Sequence, residues 1–98
     1  MKTTFESIKN NIQKLKPYLV SNYSISELFI FGSYVRNEQT VNSDIDILVE
    51  FKKIPDLLTF IEIEDYLSSK LNHKIDLVPK RKLKAQLKRQ ILNEAIAI

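Results

Sequence analysis

The tightest constraint on the fold is a run of four apolar residues, Leu28-Phe29-Ile30-Phe31, that stops at the only glycine of the chain, Gly32. A run so short and so continuously apolar reads as a strand covered on both faces. Asp44 to Phe51 starts with strict alternation and is rich in β-branched residues, the pattern of a second strand. Lys74-Ile75-Asp76-Leu77-Val78 predicts a third, ended by Pro79. Helical spacing fills the intervals. Phe5, Ile8, Ile12, Leu15 and Leu19 form one apolar stripe, preceded by a Thr3–Glu6 capping box. Pro17 is expected to kink or divide that helix, and Ser21 to Ser24 reads as a connection. Ser33 to Asn37 can form one helical turn, with Glu38 to Ser43 as polar loop. Pro55 and Asp56 suit the first turn of the next helix, with Leu57, Phe60, Ile61, Ile63, Leu67 and Leu71 on its buried face. Leu83, Leu87, Ile91 and Ala95 recur on a last helix. The order α-β-α-β-α-β-α argues for an α/β domain of two or three layers.

Ninety-eight residues leave room for one core, so residues 1–98 are expected to form a single domain. With no cysteine, disulfides, thiolate metal sites and cysteine nucleophiles are excluded, and one histidine rules out a multi-histidine site within the chain. No apolar run is long enough to span a membrane, and the first residues lack the features of a signal peptide, so the expected location is cytoplasmic. The net charge of +3 is unevenly spread. Residues 79–98 carry six basic side chains against the single acid Glu94, leaving nine basic and eleven acidic groups in the rest. Such a segment can meet phosphates or an acidic partner, or be a solvated helix face.

Asp44 and Asp46 are two apart on the second strand, so their side chains share a face. Close carboxylates repel, and a bound divalent cation removes the conflict. Asp76 sits in the third strand. If the second and third strands are neighbours, all three acids converge, and three acids around one or two Mg²⁺ ions serve phosphoryl or nucleotidyl transfer. Gly32 lets the backbone turn sharply and approach a phosphate, and Ser33 can direct an amide and a hydroxyl at it. Arg36 can contact phosphate or form an ion pair, and Ser43 can order the loop before Asp44. Each pair alone is a weak signal. Gly32-Ser33, ten residues, then Asp44-x-Asp46 and a third strand with Asp76 is a strong one.

That arrangement resembles the signature of the DNA polymerase β-like nucleotidyltransferases. Phe31-Gly32-Ser33-Tyr34-Val35-Arg36-Asn37-Glu38 and Ser43-Asp44-Ile45-Asp46-Ile47-Leu48-Val49 look like the minimal nucleotidyltransferase (MNT) subgroup. The resemblance implies a small mixed three-stranded sheet flanked by about four helices. It implies Gly32 and Ser33 at the nucleotide's phosphates, Asp44 and Asp46 at two Mg²⁺ ions, and Asp76 helping to activate an acceptor hydroxyl, with ATP as substrate. Many MNT proteins are antitoxins of a HEPN-domain ribonuclease and modify a tyrosine of that toxin with AMP. Two positions depart from the usual Ala-Arg-Gly, reading Val35-Arg36-Asn37 here. Asn tolerates the left-handed conformation, so the turn is expected to survive.

The chain has little room beyond this core for an acceptor pocket, which favours a partner protein supplying the acceptor. A different class of reading is an antitoxin that neutralises its toxin by contact alone, docking through the basic last helix. A nucleic-acid-binding subunit ranks last, because Lys80 to Arg89 carries no interleaved aromatics for base stacking.

Overall fold

The computed structural model describes residues 4–98. Its centre is a sheet of four strands in the order β3-β2-β1-β4. β1 (Ile25–Phe31) runs antiparallel to β2 (Ile45–Phe51), which runs parallel to β3 (Ile75–Pro79). The short β4 (Ile96–Ala97) adds an antiparallel edge to β1, pairing Ile30 with Ile96 and Phe29 with Ala97. Sequence reading missed this fourth strand, because two residues are too few to show a period. The mixed sheet is otherwise the expected one.

Three α-helices and two single 3-10 turns accompany the sheet among the described residues. α1 (Phe5–Tyr23) and α2 (Leu57–Leu71) cover one face. Ile8, Ile12 and Leu19 of α1 meet Ile63, Leu67 and Leu71 of α2 over Leu28, Ile30, Ile45, Ile47, Val49, Ile75 and Leu77 of the strands. Alternation puts these strand residues on one side and Phe29, Phe31, Asp46, Leu48 and Asp76 on the other. The parallel β2–β3 pair needs a crossover, and α2 supplies it.

Several local expectations are corrected. Thr3 lies outside the described residues; the cap of α1 is Thr4, whose hydroxyl accepts from the Ser7 amide at 3.2 Å. α1 runs without a break through Pro17 and on through Tyr23, where Ser24 ends it in the left-handed region at φ 56°. Asp56 precedes α2 as its cap, accepting from the Thr59 amide at 2.8 Å, so Pro55 and Asp56 stand before the helix. Leu57 and Ile61 are exposed, because the apolar run of α2 is wider than the sheet it covers. The last helix, α3 (Ala85–Glu94), is shorter than its leucine spacing implied: Leu83 ends a 3-10 turn and Ala95 is extended to enter β4. Phe31 is buried, Phe51 and Phe60 pack against the edge of the core, and Phe29 is half-covered beneath the Lys80 ammonium. No described helix is long and apolar enough to cross a membrane.

Candidate active site

Strand register builds the site. Phe31, the last residue of β1, pairs with Asp46, and Asp46 pairs in parallel with Asp76. Registered neighbours project from the same face, so the two carboxylates lie side by side. Asp44 stands two residues earlier, just before β2 begins. Asp46 and Asp76 therefore share one end of one sheet face, and Asp44 stands near enough for its charge to act on Asp46.

Their proximity has an electrostatic consequence. The Asp46 carboxyl is pushed up from its ordinary 3.8 to about 6, chiefly by burial, then by the charge and hydrogen bond of Asp76 and the charge of Asp44. Arg36 acts in the opposite direction. A shared proton relieves this repulsion, and so would a divalent cation. The donors are hard carboxylate oxygens, the chemistry Mg²⁺ favours, and they fit such an ion. Among the described residues no group of three or more His, Cys, Asp or Glu side chains closes into a metal cage. A Mg²⁺ ion held by one or two carboxylates normally completes its shell with water and substrate phosphates.

Gly32 turns the chain beside these acids. Its φ of +81° is one that L side chains rarely adopt. A Cβ there would also collide with the Asp46 carboxylate, lying 2.9 Å from its Cγ. Glycine is thus required twice over, by conformation and by contact. Gly32, Ser33 and Tyr34 form a 3-10 turn (Gly32–Tyr34), in which the amides of Val35 and Arg36 both donate to the Gly32 carbonyl at 3.1 and 3.2 Å. The Glu38 amide closes the loop on the Ser33 carbonyl at 2.9 Å. Asn37 adopts φ 58°, the left-handed conformation expected of it. Ser33 sits between Gly32 and the buried Tyr34, which packs its ring edge-on to His73 at 6.5 Å. His73 is half-buried, with Nδ1 3.0 Å from the Leu71 carbonyl.

Arg36 and Ser43 have defined partners. The Ser43 hydroxyl accepts from the Thr40 amide at 2.8 Å, which closes the turn leading into Asp44. Arg36 takes the ion-pair option: Nε lies 3.2 Å from Glu38, and Nη1 lies 3.0 Å from both oxygens of Glu94. Glu94 also accepts a 2.9 Å hydrogen bond from the Gly32 amide. Sequence reading missed this residue. Its only signal was its standing as the lone acid in a basic segment, 62 positions from Gly32.

An acidic sheet end beside a glycine turn is the layout of a site that transfers a nucleotide. The chain belongs to the nucleotidyltransferase domain family, whose profile matches residues 12–98. It is 41% identical over 95 residues to the protein adenylyltransferase MntA of Thermococcus cleftensis, covering 97% of this chain and 96% of that protein. Among solved structures it is similar to a toxin–antitoxin crystallised with AMP-PNP, with TM-score 0.75 and 32% identity over 91% of this chain and 70% of that one. It is also similar to a chain of the complex of tri-AMPylated Shewanella oneidensis HEPN toxin with its MNT antitoxin, with TM-score 0.69 and 26% identity over 92% of this chain and 70% of that one.

Proposed function

We propose that this chain is a Mg²⁺-dependent protein adenylyltransferase, the antitoxin partner of a HEPN-type toxin, which it modifies with AMP from ATP. The observation that carries the reading is the strand register, which sets Asp46 against Asp76 on one side and beneath Gly32 on the other. The relative named a protein adenylyltransferase and the structural neighbours with AMP-PNP and with an AMPylated HEPN toxin support the choice of nucleotide and acceptor.

In the reaction an acceptor hydroxyl oxygen bonds to the α-phosphorus of ATP, the bond from that phosphorus to the β-phosphate bridging oxygen breaks, and pyrophosphate leaves. Asp44 and Asp46 would hold two Mg²⁺ ions, which when bound neutralise phosphate charge and lower the pKa of the attacking hydroxyl. Asp76, beside Asp46 and the most exposed of the three, would receive the hydroxyl proton. Gly32 lets the chain turn against the Asp46 carboxylate, and Gly32 and Ser33 would meet the phosphates of the nucleotide. Positioning and charge neutralisation then supply most of the rate. The acceptor hydroxyl would come from the partner.

The test is labelled ATP with the chain, with and without a HEPN-type toxin protein, followed by mass spectrometry for added AMP. Label on the partner that disappears in Asp44→Asn and Asp76→Asn is the expected result. An Asp44→Asn chain that still neutralises the toxin fully would identify a contact-only antitoxin instead. Robust transfer to a free small molecule without any partner would overturn the acceptor assignment.

A further inference from the structure

The last turn of α3 reaches back into the site. Glu94 accepts from the Gly32 amide at 2.9 Å and meets the Arg36 guanidinium at 3.0 Å through both oxygens. A backbone N–H at a strand end and a guanidinium are the donors that proteins use to grip phosphate, and charge-assisted bonds of this kind are the strong ones. Here both are spent on a single carboxylate. The Glu94 side chain is only 20% exposed, and the pair with Glu94 holds the Arg36 pKa above its ordinary value. Gly32 abuts Asp46, so Glu94 brings a further negative charge to a loop that already faces one acid.

What delivers Glu94 is weakly anchored. All ten residues of α3 are at least partly exposed. The two residues of β4 then pair with β1, and the chain ends with the Ile98 amide on the Leu28 carbonyl at 3.0 Å and the Lys16 ammonium on the Ile98 oxygen at 2.6 Å. Ile98 also packs against the core, but α3 itself contributes no buried residue, so α3 belongs to the part of the molecule that opens more readily.

We infer that Glu94 is an internal stand-in for a substrate phosphate: the α3–β4 segment seats its carboxylate on Gly32 and Arg36, and a nucleoside triphosphate must displace it to bind. This rests on the nucleotide reading of the site proposed above. The seat is competitive, so apparent nucleotide affinity is lowered by the fraction of molecules in which Glu94 occupies it. A triphosphate carries more charge than one carboxylate and engages Ser33 and the metal ions as well, so it wins at sufficient concentration.

The experiment uses the full chain and Mg²⁺ with AMP-PNP as probe. Calorimetry on the wild type, Glu94→Gln and Glu94→Ala is expected to show tightening of about 5-fold or more in Glu94→Ala, within the usual range for coupled sites. Glu94→Gln, which keeps the shape but loses the charge, should fall between the two and serves if Glu94→Ala folds poorly. Gly32 is the only glycine, so ¹⁵N-glycine labelling gives one amide signal that reports its partner directly. That signal should move when the wild type takes up nucleotide, and it should already be displaced in Glu94→Ala without ligand. Amides of residues 96–98 should exchange faster in the nucleotide complex. Equal or weaker nucleotide binding in both variants, or an unmoved Gly32 amide, would overturn the inference and make Glu94 a brace. Asp44→Asn combined with Glu94→Ala separates the two readings. Loss of binding in the double variant leaves the nucleotide site standing whatever Glu94 does, while retained tight binding would refute that site and not the clasp.

Discussion

The two faces of the sheet are held by different physics. Beneath α1 and α2 the contacts are apolar and closed: Ile12, Leu19, Ile63 and Leu67 have no exposed surface. On the other face, Asp46 and Asp76 share one end of the sheet with a glycine turn at φ +81°, and the α3–β4 segment is fastened by hydrogen bonds, one ion pair and the packing of Ile98. The first face commits its free energy to folding. The second keeps an electrostatic conflict that folding leaves unrelieved and that a cation and a phosphate would resolve. Local conflict of this kind is expected where a protein acts, since a well-satisfied surface gains little from a ligand.

The largest effects should come from the closed face. Leu67→Ala or Ile12→Ala is expected to cost about 2–5 kcal/mol of stability, from lost burial plus the cavity left behind. Leu87→Ala on α3, where the side chain is 46% exposed, should cost no more than about 0.5 kcal/mol. Urea titration of the three variants measures both. A Leu87→Ala loss as large as that of Leu67→Ala would break the contrast, because α3 would then be core.

Gly32→Val strikes the boundary between the faces. Its side chain would demand a φ that valine resists and would push into Asp46. Strain of this type costs about 1–3 kcal/mol. Expected is a moderate fall in melting temperature together with loss of Mg²⁺-dependent AMP-PNP binding. Full nucleotide binding in this variant would show that the turn is no phosphate seat, whatever the stability change.

The contrast also explains what could be read in advance. Strand period and spacing made the convergence of Asp44, Asp46 and Asp76 legible, because one parallel pairing is enough to align Asp46 with Asp76. The left-handed Asn37 was legible through the family resemblance, since Asn tolerates the conformation that the usual Gly adopts there. The thinly held side was not. β4 depends on two residues meeting a strand about 65 positions away, and Glu94 meets Gly32 across 62. Neither leaves a local period or motif. The exposed Leu57 and Ile61 misled in the opposite direction, since apolar spacing marks a helix without telling how wide a surface it will cover.

The smallest effect, and the one that tests the conflict itself, is the pH dependence of Asp46→Asn. The Asp46 carboxyl titrates near 6 in the fold against an ordinary 3.8, so the folded protein holds this proton more tightly than the unfolded chain does. The stability linked to it is fully present below pH 4 and is lost as pH rises through 6. Asparagine is never charged and avoids that loss. Asp46→Asn should therefore match the wild type near pH 4 and exceed it at pH 7, by about 1 kcal/mol once solvent screening is discounted. Urea unfolding at the two pH values reads the difference. Mg²⁺ with AMP-PNP should then reverse the order at pH 7, because a ligand bound by the native state stabilises only the chain that binds it. A gap between wild type and variant that stayed constant from pH 4 to pH 7 would mean that neither burial nor the neighbouring acids raise the Asp46 carboxyl, and that the open face is as well satisfied as the closed one.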